Sequence, residues 1–490
     1  MNRTHGDTPI KPHTTHVTSP EDKVPFWRKA GYGTGMLGYA LLIQVYMQFY
    51  NPVFNDTLGL SPVLIAWIIS ASRIWDSITD PLMGNLSDNT FSKWGRRRPW
   101  IALGALLCAL SFIAIWWFPR GMDPSFYFWW LLIFSLVFYL AFTVFSVPYI
   151  ALGMELSPDY HERTSVMTTR TVIEQFGFFI VSSLFFLTSL EVFSDRAEGM
   201  RYNSLWVGLV IFFVIMAPAV FAREHPSFLV ARNKDTEAKG KRLKVPLVTS
   251  VKETLSCWPF LNLALITVIS YLGVITVGSL GYYVTVYHLF AGDKTVASGT
   301  VLTLVGYCIP ISAMIGLPLM NSLSHRIGKR NALIVAFGLT IIGAALRWHL
   351  YTPENPYLSM IPTILFGVGT AGAYLFINAM IPEAVDADEL RTGERREGMF
   401  SAVYGWTYKL GAALAILLSG YVLQWTGFDT ALGGDQAPET IYWLRVSFAW
   451  ICAIAMLVTT LLAFTYPITE KKAYEIRQQL AEARKNRQPS

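Results

Sequence analysis

Long apolar runs alternate with short polar segments between residues 27 and 466 of the chain. A helix that crosses the hydrocarbon core of a bilayer needs roughly 20 apolar residues. Twelve runs reach this length: 27–50, 60–84, 100–118, 126–152, 167–190, 203–222, 258–289, 297–320, 331–349, 357–381, 399–424 and 440–466. The pattern predicts an all-α membrane protein with twelve transmembrane helices.

The longest polar segment between the runs separates six of them from the other six. We therefore predict an N-terminal tail, a six-helix bundle, a linker, a second six-helix bundle and a C-terminal tail, at residues 1–25, 26–222, 223–256, 257–466 and 467–490. The first tail is polar and has no apolar core of its own. It is predicted to be disordered and is not a cleaved signal peptide.

The two halves contain a weak internal repeat. WGRRRPW (94–100) follows the second run, and IGKRNAL (327–333) follows the eighth. The fourth and tenth runs end in ELSPDYHERTS and EAVDADELRTGERREG, which share Glu, Asp and Glu-Arg in the same order. Matching loops in two six-helix halves are typical of transporters built from parallel repeats.

Composition and charge support a membrane protein. Apolar residues make up 53% of the chain and charged residues only 15%, against about 25% in soluble domains. Most basic residues lie in loops that share a side with both termini, and the opposite loops hold few: Arg120, Arg196, Arg201, Lys294 and Arg347. This bias predicts cytoplasmic termini. The net charge of +6 forms no single patch, so no nucleic-acid partner is predicted. The lipid bilayer is the expected environment.

The four cysteines are predicted to be core residues. Cys108, Cys257, Cys308 and Cys452 lie in or beside apolar runs and lack metal-ligand spacing. No cofactor is predicted apart from a coupling ion.

Six charged residues are predicted to lie well inside the membrane, away from the ends of their runs: Arg73, Asp76, Asp80, Arg170, Glu174 and Lys409. A charge at the centre of a bilayer costs several kcal/mol, so such residues are usually paired or functional. Asp76 and Asp80 are four residues apart and share one face of a helix. Two carboxylates so close need either a shared proton or a cation between them.

Oxygen ligands suit a hard cation, and Thr79 lies on a neighbouring face of the same helix. The residues leave Na⁺ and H⁺ both open as the coupling ion. The alternative is structural: both carboxylates pair with Arg73 and other cations and bind nothing else.

Arg170 and Glu174 are also four residues apart. They form either an ion pair with each other or a clamp for sugar hydroxyls. Lys409 has no acidic neighbour on its own helix turn, so its partner is on another helix or on a substrate. Tyr149, Tyr374, Tyr404, Trp406 and Tyr408 lie near these charges and suit stacking on a sugar, although lipid contact or core packing explains many such aromatics equally well.

Several motifs closely resemble one family. They are KAGYGTGMLGY (29–39), RIWDSITDPLMG (73–84), SKWGRRRPW (92–100), FTVFSVPYIAL (142–152) and EAVDADELRTGERREGMFSAVYGWTYKLG (383–411). The chain resembles the glycoside–pentoside–hexuronide:cation symporters of the major facilitator superfamily over almost its whole length. The resemblance implies two bundles, alternating access and sugar uptake driven by Na⁺, Li⁺ or H⁺.

The resemblance also implies residue roles. Asp76 and Asp80 match the family's cation-site carboxylates, and Thr143 matches a cation-site threonine in the fourth span. Thr79 stands where the family pattern has asparagine, which weakens the expectation of Na⁺.

The sugar site departs further from the family pattern. Arg170 and Lys409 match pocket residues, and Tyr374 falls at a sugar-stacking tryptophan. Tyr39 and Ala40 replace a Lys-Asp pair, and Ser146 replaces an aspartate. A pocket with fewer acids favours an acidic sugar such as a hexuronide.

The arginines after the second run are predicted to latch a cytoplasmic gate. Arg96, Arg97 and Arg98 have candidate acidic partners at Asp88, Glu155, Glu383 and Asp386. These pairs would break when that gate opens.

The leading hypothesis is a sugar:cation symporter of the inner membrane. Alternatives are an uncoupled sugar facilitator and a proton-coupled disaccharide carrier of the sucrose or maltose type. A membrane-embedded enzyme is disfavoured, because the longest connecting segment carries no clustered acid motif.

Overall fold

The computed structural model describes residues 22–90, 92–157, 159–224, 252–393 and 396–487, and all regular structure in them is helical. The first six long helices are α1 (Phe26–Tyr50), α2 (Pro62–Asp88), α3 (Arg98–Trp116), α4 (Pro124–Met154), α5 (Tyr160–Leu187) and α6 (Arg196–Phe221). The remaining long helices in the described residues are α7 (Trp258–Tyr283), α8 (Thr303–Ile327), α9 (Lys329–Leu350), α10 (Met360–Thr392), α11 (Glu397–Trp425), α12 (Pro438–Phe464) and α13 (Glu470–Arg487).

Local sequence explains several of these boundaries. Proline occupies the first turn of α2, α3, α4, α7 and α12, where its missing N–H costs no helical hydrogen bond. π-helical turns extend α1 through Asn51–Asn55 and α7 through Val284–Leu289. The first extension carries polar side chains beyond the predicted end of its span at residue 50, and the second lies within the predicted span 258–289.

The helices α1 to α12 correspond to the twelve predicted spans. Within the described residues, ten spans are long and apolar enough to cross a membrane. The other two helices, α1 and α2, contain 25 and 27 residues. The charged face of α2 is turned into the protein, since Arg73 and Asp76 are buried.

The helices form two bundles. In the first, α1 packs on α5 and α6, α3 on α4 and α6, and α2 on α4. In the second, α7 packs on α11 and α12, α9 on α10 and α12, and α8 on α10. The bundles meet where α2 packs on α11 and α5 on α8. Because α1 begins and α12 ends on one side of the membrane, that side is called the terminal side, and the opposite one the far side.

Small residues allow the bundles to approach closely. A Cβ atom at Gly306 of α8 would lie 2.4 Å from the hydroxyl oxygen of Ser182 on α5. One at Gly420 of α11 would lie 2.6 Å from the Cβ atom of Ala66 on α2. Glycine at both crossings removes a clash, as is common where membrane helices pack tightly.

The predicted linker and tails are described only in part. The first bundle ends with α6 and the second begins with α7, and most of the linker, residues 225–251, lies outside the described residues. Residues 1–21 of the first tail and 488–490 of the second also lie outside them. The second tail contains α13, which packs against α10.

Candidate cation and substrate site

The two carboxylates of α2 lie together at the boundary between the bundles. The side chain of Asp76 is 2% exposed and that of Asp80 is 32% exposed. The four-residue spacing turns both toward α4 and α11, as expected for one helix face. Asp80 therefore lies between the buried Asp76 and the solvent.

Threonine hydroxyls complete one side of this pair. The Oγ1 atom of Thr143, on α4, lies 2.9 Å from Asp76 Oδ1 and 3.3 Å from Asp80 Oδ1. The Oγ1 atom of Thr79 lies 3.1 Å from that of Thr143. Two carboxylate and two hydroxyl oxygens thus converge, a donor set that suits a hard monovalent cation or a proton.

A lysine from the other bundle binds the opposite side of the pair. The Nζ atom of Lys409, on α11, lies 2.7 Å from Asp76 Oδ2 and also donates to Asp80 Oδ2. This ammonium group supplies the partner that the sequence required from another helix. Removing one member of such a poorly solvated pair leaves a charge uncompensated, which costs about 3–5 kcal/mol.

Arg73 does not form the structural pair considered from the sequence. Its guanidinium lies over the ring of Tyr139, with 5.1 Å from Cζ to the centroid. Among the described residues, no carboxylate lies within ion-pair distance of Arg73, and its Nε atom has no hydrogen-bond partner. It stays close enough to Asp76 to interact electrostatically.

Four of the predicted tyrosines gather around one further tyrosine. Tyr39, Tyr374, Tyr404 and Tyr408 lie near Tyr271 of α7, and these five residues are called the tyrosine cluster. The rings of Tyr271 and Tyr408 meet edge to face with centroids 4.6 Å apart. Tyr374 is 57% exposed. Tyr271 was missed from the sequence because the aromatic stretch of α7 contains no charge to draw attention to it.

Arg170 and Glu174, on α5, do not form the ion pair that their spacing allows. In the described residues no carboxylate lies within ion-pair distance of Arg170. Its Nη1 atom lies 3.6 Å from Met167 Sδ, its guanidinium interacts with the hydroxyl of Tyr32, and Glu174 remains within electrostatic range. The guanidinium therefore keeps donors for another acceptor.

Two other predicted pocket residues are buried in the first bundle. Tyr149 stacks on Tyr32 at 4.6 Å between ring centroids, and its hydroxyl donates to Tyr32 O at 3.0 Å. It is fully buried, and Ser146 is 5% exposed. In this conformation both side chains are therefore closed to solvent.

The arginines on the terminal side bind residues of their own bundle. Arg96 Nη2 lies 2.6 Å from Glu155 Oε1, and Arg97 binds Asp88 and the same glutamate. Arg98 donates to the backbone oxygen atoms of Ala219 and Val220 at the end of α6. The predicted partners Asp88 and Glu155 are therefore in contact with the arginines, but these contacts lie within one bundle. They do not join the bundles, so they need not break when a gate between the bundles opens, contrary to the prediction.

The other two predicted gate acids lie on α10 in the second bundle. Glu383 Oε1 lies 2.6 Å from Lys329 Nζ, so this contact also stays within one bundle. Asp386 is half-buried on the same helix. Pairs between the arginines and α10 would require the bundles to move.

A second carboxylate between the bundles, Asp56, was missed from the sequence. It follows the π-helical end of α1 on the far side and is buried. Tyr282 donates to its Oδ2 at 2.6 Å, Tyr287 donates to Oδ1, and Lys294 Nζ lies 2.9 Å from Oδ1. These residues, with Arg196, are called the far-side network. Arg196 crosses from α6 to donate to Tyr282 and Ser298.

The contacts between the bundles define the conformation. Ser70 donates to Ala413 O at 2.9 Å, Ser183 lies 2.6 Å from Tyr307, and Trp67 donates to Tyr421 at 3.2 Å. Between described residues, the polar contacts that join the bundles lie either at Lys409 or on its far side. The structure is therefore closed on the far side.

The chain is similar to known transport proteins along most of its length. Residues 31–470 match the family model for MFS/sugar transport proteins. An uncharacterized symporter of Synechocystis is 27% identical over 95% of this chain and 98% of its own. The isoprimeverose transporter of Lactiplantibacillus pentosus is 21% identical over 87% of this chain and 85% of its own.

Among solved structures, a D-xylose–proton symporter superimposes with a TM-score of 0.65 at 15% identity, covering 91% of this chain and 98% of that one. At this identity the likeness bears on the fold alone. It confirms the predicted arrangement of twelve helices in two bundles.

Proposed function

Because the chain belongs to the family of MFS/sugar transport proteins, we propose that it carries a glycoside or small oligosaccharide across the cell (inner) membrane together with Na⁺ or H⁺. The family and the relatives are transporters, so the chain is a multi-pass membrane transporter and not an enzyme. Its substrate and its coupling ion are the parts proposed here.

The observation that carries the proposal is the position of Lys409. Its ammonium binds the same two carboxylates that would hold the coupling ion. An incoming Na⁺, or a proton on Asp80, reduces the attraction between Lys409 and the pair. The released lysine is then available to the substrate, so that ion and sugar bind cooperatively. A coupling free energy of about 1–3 kcal/mol is typical of such linkage.

The charge bias and the closed far side together assign an orientation to this conformation. Basic loops and both termini share the terminal side, which we assign to the cytoplasm. The present conformation is then inward-facing, and Asp80, the more exposed carboxylate, lies on the exit path of the ion. The outward-facing state requires the far-side network to open.

The unpaired Arg170 favours an acidic sugar. A guanidinium binds a carboxylate through two parallel hydrogen bonds, and Arg170 has no such partner among the described residues. Lys409, once released, adds a second positive charge. The two cations therefore favour a hexuronide over a neutral sugar, and Glu174, which lies within electrostatic range of Arg170 without an ion pair, opposes this preference.

Uptake into proteoliposomes tests the proposal. A hexuronide or neutral glycoside should accumulate only under an imposed Na⁺ or H⁺ gradient. Asp76→Asn and Asp80→Asn should each abolish accumulation, and exposed Asp123→Asn, at the start of α4, should not. If accumulation survives in both variants of α2, the assigned ion site is wrong.

A further inference from the structure

A cavity opens into the second bundle beside the tyrosine cluster. About 90 Å³ of it is open to the centres of water-sized molecules, and the free space reaches about 470 Å³ when the open solvent at its mouth is counted. Tyr271, Tyr374 and Tyr404 lie at the mouth. Phe337 of α9 and Met456 of α12 form the inner end, where they are 0% and 1% exposed. The cavity therefore lies against the core of the bundle.

The chemistry of its wall is apolar. No charged side chain of the described residues lines it, and away from the tyrosine mouth its polar side chains are Ser270 and Thr370. The hydroxyl of Thr370 already donates to Phe366 O at 2.8 Å. The buried hydroxyl of Ser270 has no partner among the described residues. The interior can thus satisfy about one incoming polar group.

A sugar ring does not suit this interior. Each hydroxyl that is buried without a hydrogen-bond partner costs about 1–3 kcal/mol, and a pyranose carries several around its edge. An alkyl or aryl group has no such cost and gains from leaving water. Aromatic groups also pack well against tyrosine rings at the mouth.

The polar site lies next to the mouth of this cavity. Tyr374 is within electrostatic range of Arg170 and Glu174 of the first bundle. Tyr271 contacts Tyr408, which precedes Lys409 in the chain. One molecule can therefore reach the charged groups with its sugar and the cavity with its other end.

We propose that this cavity is a subsite for an apolar aglycone. The preferred substrate is then an aryl or alkyl glycoside, and free sugars and unsubstituted oligosaccharides are poorer ligands. This inference rests on the proposed function of sugar transport and adds a substrate class to it.

Binding to wild-type protein in phospholipid nanodiscs is the first test, because detergents with alkyl chains would compete for the cavity. The probes are methyl, hexyl and phenyl β-glycosides of glucuronic acid, glucose and xylose, measured by calorimetry. For any sugar that binds, the hexyl and phenyl compounds should have dissociation constants lower than the methyl compound by about tenfold or more, since each buried methylene adds favourable transfer free energy. Equal affinities would overturn the inference.

Two variants that reduce the cavity are the second test. Val274→Phe fills it from α7, and Ala373→Leu fills it from α10 should the first variant fail to fold. The ratio of methyl to hexyl dissociation constants should fall from about ten or more to about two or less. The matched control is Val335→Phe, at a position of α9 that is 38% exposed and outside the cavity, and it should keep the wild-type ratio. A ratio that is the same in all variants contradicts the assignment of this cavity.

Failure of the aglycone subsite and failure of the proposed sugar transport would give different results. If methyl glycosides accumulate under an ion gradient but the aglycone adds no affinity, only the subsite is wrong. If no glycoside binds, and lysophosphatidylcholine binds and loses affinity in Val274→Phe, the cavity is a lipid site and both proposals fail.

Discussion

Two sites between the bundles have the same basic plan and different chemistry. At each, a lysine of the second bundle reaches a carboxylate of the first: Lys409 binds Asp76 and Asp80, and Lys294 binds Asp56. Asp56 is a single carboxylate with several donors, including the hydroxyls of Tyr282 and Tyr287. The central site instead has two carboxylates for one ammonium.

The number of donors for each carboxylate gives the two sites different roles: the far-side network holds the bundles together, and the central site can exchange its lysine for an ion. A buried carboxylate with several donors is fully satisfied and gains little from an added cation. Two carboxylates with one ammonium and threonine hydroxyls still attract a cation. The far-side network therefore holds the bundles together, and the central pair lets an ion replace the protein's own lysine.

The largest effect is expected from Lys409→Met. Loss of the ammonium leaves the buried Asp76 and the partly exposed Asp80 without their cationic partner. Breaking a buried pair costs about 3–5 kcal/mol, so ion-driven uptake should fall by about a hundredfold or more. Thermal stability should then rise with NaCl more than with choline chloride, because Na⁺ can replace the missing charge. The matched variant Lys294→Met should retain the dependence of uptake on the ion gradient. Uptake at the wild-type rate in Lys409→Met would mean that the lysine has no role in ion coupling, and the contrast between the two sites would be wrong.

A smaller effect, on conformation, is expected from Asp56→Asn. Hydrogen bonds to a charged group contribute about 1.5–3 kcal/mol, so their weakening should shift the protein toward a state that is open on the far side. Ser279→Cys reports this, because Ser279 lies 3.2 Å from Tyr50 at the closed contact. Labelling by an impermeant thiol reagent should become about tenfold faster.

Few native cysteines can react with the thiol reagent. Among the native cysteines only Cys308 is not buried, and it is replaced by serine. Asp435→Asn, at an exposed carboxylate on the same side, should leave the labelling rate unchanged. An unchanged rate in Asp56→Asn would mean that the far-side network does not control closure.

Removal of one hydrogen-bond donor to Asp56 should also favour the state that is open on the far side, but less than Asp56→Asn does. Tyr287→Phe deletes one of several hydrogen bonds to Asp56 and keeps the ring. Because Tyr282 and Lys294 still donate to the carboxylate, the expected change is about 1 kcal/mol. The labelling rate at position 279 should increase about fivefold. Tyr357→Phe, at a tyrosine that is 52% exposed, serves as the control. If Tyr287→Phe increased the labelling rate as much as Asp56→Asn does, the tyrosine and not the charge of Asp56 would dominate the closure.

The smallest effect is expected at an ion pair that does not join the bundles. Arg120 and Asp195 lie 2.7 Å apart, both more than one third exposed, and both belong to the first bundle. Exposed pairs contribute about 0–1 kcal/mol. Arg120→Gln should therefore change the melting temperature by about 1 °C and leave the labelling of Ser279→Cys as it is. A large change in labelling would show that closure involves more than the far-side network.

The sequence was most informative where chemistry and helix periodicity coincide. The spacing of Asp76 and Asp80 predicts a shared face, and the structure brings Thr143 and Thr79 to that face. It did not predict that Lys409 is their partner, because the lysine is 329 residues away from Asp80. Spacing within one helix carries no information on contacts between bundles.

The sequence also did not predict the direction in which individual side chains point. Tyr149 and Tyr374 occur in similar apolar runs, yet one is fully buried against Tyr32 and the other is 57% exposed. Arg170 and Glu174 have the spacing of an ion pair, but the guanidinium contacts Met167. Such outcomes depend on rotamers and neighbouring helices, which hydropathy does not encode.

Asp56 was missed for a local reason. It lies in a short polar segment, NDTLG, that resembles an ordinary loop. The π-helical extension of α1 carries this segment toward the second bundle and so buries the carboxylate. A helix that continues beyond its apolar run has no simple signal in the sequence.

The contact of Lys409 with two carboxylates also has an electrical consequence. Arg73, Asp76, Asp80 and Lys409 carry formal charges that cancel, whereas the same site with a monovalent ion carries one net positive charge. A membrane voltage of about 100 mV does about 2.3 kcal/mol of work on one elementary charge that crosses the whole field. We expect voltage to act on the carrier that holds the ion alone or the ion with a neutral glycoside, and to leave the empty carrier almost unaffected. A hexuronide carries one negative charge and cancels that of the ion, so pre-steady-state currents should appear with the ion and shrink when a hexuronide is added.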